Sequence, residues 1–399
     1  MIRVLIADDS AFMRMVLSNL FKEQPDFEVV ATAMNGKDAI DKILKLKPDL
    51  LTMDVNMPVM DGLSALEVIM KDCPLPVIML SSLTKEGENA TIRALQLGAV
   101  DFISKTGGSI SKIDTIADEI LSKCRTAAQA NIARVRSPGI PLPSAGDGAK
   151  AAVSSPPDTP VYKKISLPER HGYTPVRAGG ASAPSARSTI LPPRPKPTVN
   201  IIPSVSVSSG RGKIVAIGTS TGGPKAFQTL VTRLPKNLPC GVVIVQHMPA
   251  GFTKSLAERL DTISEIAVKE AENHDIIKAG QVYIAPGNYH MTVQNDSGVR
   301  KIVLDQTPPV GNHRPAVDVM FNSVAQFGQD VVSVILTGMG CDGSVGMGKI
   351  KQNGGYVIAE DASTAVVYGM PKVVVDMGIA DEILPLQNIA NAIVNAVKK

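Results

Sequence analysis

The chain has 399 residues, 44% of them hydrophobic, with a formal net charge of +4 and no tryptophan. That length holds at least two domains, and so near a charge balance makes no case for nucleic acid or a membrane surface as partner. Cys73, Cys124, Cys240 and Cys341 stand far apart, without CxxC or metal-ligand spacing, which suits a reduced, cytoplasmic setting. The opening MIRVLIADDS has no signal-peptide pattern, and no apolar run reaches the roughly 18–20 residues of a membrane span.

Residues 1–124 alternate short apolar strands with amphipathic helical stretches. The strands are expected at 4–7, 28–33, 49–54, 76–82 and 101–105, with helices at 11–21, 37–46, 63–70 and 90–97. Five βα units with near-continuous apolar strands read as a doubly wound parallel sheet, flavodoxin-like, covered on both faces. Residues 125–209 then lose all hydrophobic periodicity and hold about half of the chain's 29 prolines, the composition of a disordered linker. From 210 to 399 the βα alternation returns. Strands are expected at 213–218, 241–246, 282–285, 331–336 and 356–359, and helices at 224–234, 252–260, 315–327, 344–352 and 386–397. A hairpin is expected across 291–304, turning at Asp296–Gly298. This second domain reads as a Rossmann-like α/β fold with an antiparallel excursion, and no internal repeat is visible.

In the first domain, charged and hydroxyl groups gather at strand ends: Asp8 and Asp9 after strand one, Asp54 at strand three, Ser81 and Ser82 at strand four, Lys105 at strand five. The C-terminal ends of a parallel sheet share one edge, where ligands bind. Three carboxylates there call for a cation, and Mg²⁺ suits oxygen ligands while leaving room for a phosphoryl oxygen. The set reads as a phosphoacceptor pocket with Asp54 as nucleophile. These residues, in DDS (8–10), MDVNMPVMDG (53–62), MLSSL (79–83) and FISK (102–105), resemble the response-regulator receiver family. The resemblance implies phosphorylation of Asp54, Mg²⁺ held by Asp8, Asp9, Asp54 and the Asn56 carbonyl, Ser81 and Phe102 as switch residues, and Lys105 as phosphate partner. Thr106 stands where receivers usually place a proline.

In the second domain, VAIGTSTGGP (215–224) puts Ser220 at a strand-to-helix turn flanked by glycines. The local pattern fits a nucleophile, an anion cradle or a plain turn. A nucleophilic serine needs a base, and the base an acid. His247 ends the next strand, in VIVQHMP, and Asp342 lies after another, in GMGCDG. His290 and His313 lie in loop-like stretches, PGNYH and GNHRP, and Arg314 and Asp318 could form a loop ion pair. IGTSTGGP, QHMPAGFTKSLAERL, IAPGNYHM, HRPAVDVMF and LTGMGCDG together resemble the chemotaxis-specific protein-glutamate methylesterase (CheB) family. The resemblance implies that Ser220 attacks a γ-glutamyl methyl ester, His247 transfers the proton and Asp342 orients His247. The N–H groups of Thr221 and Met339 would meet the oxyanion, and glutamine amide hydrolysis is a second implied reaction. No cofactor is implied for the esterase step. Methyl-accepting chemotaxis proteins are the implied substrate and the histidine kinase CheA the implied phosphodonor. The receiver is expected to inhibit the esterase until phosphorylated, weakly given the long tether. Two other readings are a receiver whose second domain only binds a partner, and a nucleotide site at GTSTGG; the missing Walker lysine argues against the latter.

Overall fold

The structure is a computed structural model that describes residues 1–82, 84–105, 110–132 and 212–398, with the side chains of 110–116 left out. Thr106 and linker positions 133–209 lie outside the described residues.

The first sheet contains β1 (Ile2–Ala7), β2 (Phe27–Ala33), β3 (Leu50–Asp54), β4 (Val77–Ser82) and β5 (Asp101–Lys105) in the order β2-β1-β3-β4-β5, all parallel. β3 is buried at every position and β4 at all but its last, as expected where helices cover both faces. The helices are α1 (Ala11–Lys22), α2 (Gly36–Leu46), α3 (Gly62–Asp72), α4 (Lys85–Leu97) and α5 (Ile110–Ala128). Sequence sets the starts of the first four: Ser10, Asn35, Asp61 and Thr84 each accept a hydrogen bond from an N–H of the first turn, each such cap adding about 1 kcal/mol.

α5 continues past residue 124, where the sequence reading ends the first domain and begins the linker. Cys124 and Ala127 are fully buried, and Arg125 Nε lies 2.7 Å from Asp26 Oδ2. Packing and pairing therefore hold the last turn of α5, in a stretch whose alanine content alone resembles a tether.

The second sheet contains β6 (Ile214–Thr219), β7 (Gly241–Gln246), β8 (Ala267–Glu270), β9 (Gln281–Ile284), β12 (Val331–Ile335), β13 (Tyr356–Glu360) and β14 (Glu382–Leu384), ordered β14-β13-β12-β6-β7-β9-β8 and parallel throughout. β10 (His290–Asp296) and β11 (Val299–Asp305) form the expected separate hairpin. The helices are α6 (Gly223–Val231), α7 (Phe252–Ile263), α8 (Val317–Val324), α9 (Ser344–Gln352), α10 (Met370–Asp376) and α11 (Leu386–Ala396). β6 and β7 are buried at every position and form the middle of the sheet with β12. None of the described helices is long and apolar enough to cross a membrane.

The two sheets belong to one compact unit, and a single apolar cluster runs through both domains. Phe102 of β5 and Phe252 of α7 meet with ring centroids 4.6 Å apart at 35°. Both rings are buried, each worth about 2–3 kcal/mol of apolar burial.

Candidate active site

In the first domain, Asp8, Asp9 and Asp54 offer oxygen atoms that all lie within 4.8 Å of one another. Asp8 and Asp54 are buried and Asp9 is exposed. Lys105 Nζ lies 2.8 Å from a carboxylate oxygen of both Asp8 and Asp54. Burial raises the Asp54 carboxyl above its ordinary range, and the Lys105 hydrogen bond only partly offsets that. Burial pulls the Lys105 ammonium down, but its bonds to Asp54 and Asp8 outweigh this and hold it protonated. An all-oxygen donor set of three carboxylates is the kind a hard divalent cation takes, so these residues fit Mg²⁺. The Asn56 N–H donates to Asp54. Ser81 is buried; its hydroxyl donates to the Gly87 carbonyl (3.0 Å) and lies 2.6 Å from the Thr91 hydroxyl on α4. Its hydrogen bonds thus go to α4.

In the second domain, Ser220 follows β6, His247 follows β7 and Asp342 lies in the loop after β12. Since β12, β6 and β7 are adjacent, three neighbouring strand ends supply the set. The loops are stitched together by backbone bonds: Ser220 N–H donates to Thr337 O (3.1 Å) and His247 N–H to Thr219 O (3.3 Å). The Gln246 amide donates to the Ser220 carbonyl at 3.0 Å. Glycine is required at two places here. Gly222 has φ +83°, and a Cβ on Gly338 would stand 2.9 Å from Ser220 Cβ.

His247 Nε2 lies 2.7 Å from Asp342 Oδ2. Asp342 also accepts from the N–H groups of Val317 (2.7 Å) and Asp318 (2.8 Å), in the first turn of α8. Burial works against its charge, but the His247 bond and those two N–H groups outweigh it and hold the carboxyl below its ordinary range. The carboxylate therefore accepts from Nε2–H, and Nδ1 is left bare. Nδ1 is buried and has no hydrogen-bond partner among the described residues. A proton acceptor beside the Ser220 turn, with its other nitrogen locked to an anion, is what a general base requires.

Thr221 is buried, and its hydroxyl donates to Asp101 Oδ2 of β5 at 2.5 Å. Met339 is exposed, and its sulfur lies against Ser122 and Thr126 of α5. First-domain side chains thus touch both residues read as oxyanion donors. Arg314 and Asp318 do not form the ion pair the sequence allows. Arg314 bonds the Gln306 and Thr307 carbonyls and the Asn288 side chain, whereas Asp318 accepts from Gly346 N–H. His290 is fully buried between Pro308 O (3.2 Å) and Ala316 N–H (3.3 Å). His313 lies flat on His247, ring centroids 3.7 Å apart at 10°. Sequence reasoning leaves His313 as a loop residue, and only its adjacency to Arg314 within HRPAVDVMF hinted otherwise.

The profile of the response regulator receiver domain matches residues 4–116 and that of the CheB methylesterase residues 215–393. A protein-glutamate methylesterase/protein-glutamine glutaminase of Symbiobacterium thermophilum is 46% identical over 398 residues, 99% of this chain and 97% of that one. One from Geobacillus kaustophilus is 42% identical over 399 residues, 99% of each. The crystal structure of the Thermotoga maritima CheB methylesterase catalytic domain is 49% identical, covers 47% of this chain and 99% of that one, and superposes with a TM-score of 0.46. With such identity along nearly its whole length, this chain belongs to the protein-glutamate methylesterase/protein-glutamine glutaminase family, a CheB methylesterase domain fused to a response-regulator receiver.

Proposed function

We propose that this chain hydrolyses γ-glutamyl methyl esters on chemoreceptors, under control of phosphorylation at Asp54, and hydrolyses receptor glutamine amides by the same chemistry. The observation that carries the reading is His247, bonded through Nε2 to an ionised Asp342 with Nδ1 buried and unpartnered beside the Ser220 turn. Ser220 Oγ attacks the ester carbonyl carbon while Nδ1 takes its proton. The carbonyl oxygen becomes an oxyanion, met by the N–H groups of Thr221 and Met339. Such donors are worth most when fixed in place before the reaction. The C–O bond to the methoxy group breaks, and His247 returns the proton to release methanol. Water, deprotonated by Nδ1, then attacks the acyl-serine; the C–O bond to Ser220 Oγ breaks, His247 returns the proton to Oγ, and the glutamate is freed. An amide follows the same course, with ammonia leaving.

Contacts between the domains support receiver control. Phe102 packs on Phe252, Asp101 holds Thr221, and α5 covers Met339. A phosphoryl group on Asp54, with Lys105 on its oxygens, draws the Ser81 hydroxyl away from Gly87 and Thr91. It thereby disturbs β5, which carries the Phe102 and Asp101 contacts, and α4, whose Glu88 carboxylate accepts from the Ser255 hydroxyl of α7 at 3.4 Å. Asp8, Asp9, Asp54 and the Asn56 carbonyl would hold Mg²⁺, which neutralises charge on the incoming phosphoryl group. The histidine kinase CheA is the phosphodonor in this reading, and the reaction takes place in the cytoplasm. Long as the linker is, interdomain packing of this kind supports tighter inhibition than tether length alone suggests.

The test is methanol release from methylated receptor membranes by the wild type and S220A, with and without a small phosphodonor. Release that requires Ser220 and rises with phosphodonor supports the proposal; equal release by S220A sinks it.

A further inference from the structure

Among the described residues the His247 ring has one hydrogen-bonded anchor, Asp342, on Nε2. A single bond fixes one atom of the ring and leaves its plane free to swing. Among the described residues Nδ1 makes no bond that could stop this. The second constraint comes from the loop between β11 and α8, where His313 covers the face of His247 at 3.7 Å and 10°. The His313 backbone is itself fixed, exchanging N–H and C=O bonds with Val310 at 3.0 Å.

We infer that His313 is a positioning residue for the base: its flat ring holds the plane of His247, so that Nε2 stays on Asp342 and Nδ1 stays bare as the proton acceptor. The stack works only with a neutral partner, since His247 becomes cationic once it takes the serine proton. Burial keeps His313 neutral, pushing it down to about 4; His247 and the more distant Lys123 of α5 act the same way, against the opposing pull of Asp342. A neutral imidazole face also tolerates the imidazolium better than open apolar space does. The inference rests on the proposed role of His247 as base.

Two variants test it: H313A removes the ring, and H313F keeps a flat ring without its nitrogens. The first measurement needs no substrate. Imidazole nitrogen NMR of the full-length protein reports the His247 tautomer. The Nε2–H form is expected to dominate in the wild type and in H313F, and to mix with the Nδ1–H form in H313A. The second is methanol release: kcat about three- to tenfold lower in H313A with KM unchanged, the size of an aromatic pair interaction, and most of that loss restored in H313F. Wild-type nitrogen shifts and kcat in H313A would overturn the inference, as would an H313F variant as impaired as H313A. Failure of the esterase reading itself looks different: the wild type then releases no Ser220-dependent methanol, whatever the NMR shows.

Discussion

Asp101, the first residue of β5 in the receiver, accepts a 2.5 Å hydrogen bond from Thr221, the residue after the candidate nucleophile. The same carboxylate accepts from the Phe102 N–H at 2.7 Å and stands 3.5 Å from Lys123 Nζ. One receiver side chain thus ties β5 and α5 to the turn where catalysis is proposed. A hydrogen bond to a charged group contributes about 1.5–3 kcal/mol, enough to bias a docking equilibrium tenfold or more. D101A should therefore raise ester turnover in the absence of phosphodonor by at least severalfold and shrink the further gain from phosphodonor. Steady-state methanol release in both conditions checks this; unchanged basal turnover would mean the contact carries no inhibition.

Asp342 holds three donors at once: His247 Nε2–H and the N–H groups of Val317 and Asp318. D342N keeps the shape but has only one acceptor oxygen, and its amide offers N–H where acceptance is needed. Expected is a fall in kcat of about 10²–10⁴-fold, the range for a misheld base, with a loss of roughly 1–3 kcal/mol from unsatisfied groups. Turnover and urea unfolding measure the two effects. Because the folded Asp342 carboxyl lies below its ordinary range, its stabilisation is complete above that range and is lost as pH falls through the folded value.

His313 gives a dependence of the same sign in a higher pH window. Its folded value of about 4 lies below the 6.5 of an ordinary histidine. Between those values the unfolded chain binds a proton that the folded chain refuses, so stability drops as pH falls through this window. The full loss is on the order of 3 kcal/mol. H313F has no such group, and its stability relative to wild type should rise by about that amount from pH 7 to pH 4. Denaturant unfolding at half-unit pH steps reads this directly; parallel curves would show that His313 titrates normally.

Lys105 neutralises two buried carboxylates at 2.8 Å each. In K105M the cluster of Asp8, Asp9 and Asp54 keeps its negative charge without the ammonium. The melting temperature should fall by several degrees in chelator, as for loss of a buried charge partner. Mg²⁺ should then raise it more in K105M than in wild type, since binding only to the folded state stabilises it. Scanning fluorimetry with EDTA and with a Mg²⁺ series tests this, and an equal Mg²⁺ response in both proteins contradicts it.

Most of both sheets was legible because parallel strands buried on two faces carry continuous apolar runs, as in VAIG and VVIVQ. The strands that escaped notice are the edge ones. Ala267–Glu270 carries a lysine and a glutamate, and Glu382–Leu384 is only three residues long, so neither has a period to read. The C-terminal part of α5 was read as linker because its partner, Asp26, lies 99 residues away in sequence. The same limit applies at the site. Ser220, His247 and Asp342 were visible because each follows its own strand, and strand ends of a parallel sheet meet. His313 lies in an irregular loop, and stacking between rings 66 positions apart leaves no local pattern. Nor could the sequence tell that Thr221 gives its hydroxyl to the receiver.

The most direct test of the account is whether Ser220 becomes covalently acylated. The full-length protein is mixed with a receptor peptide bearing a γ-glutamyl methyl ester, quenched in acid within milliseconds and digested, and the Ser220 peptide is weighed. The account predicts that this peptide transiently gains the mass of the receptor peptide's acyl group while methanol is released, and that H247Q largely abolishes the adduct. Methanol release at the wild-type rate by S220A, with no adduct on the wild-type serine, would contradict it.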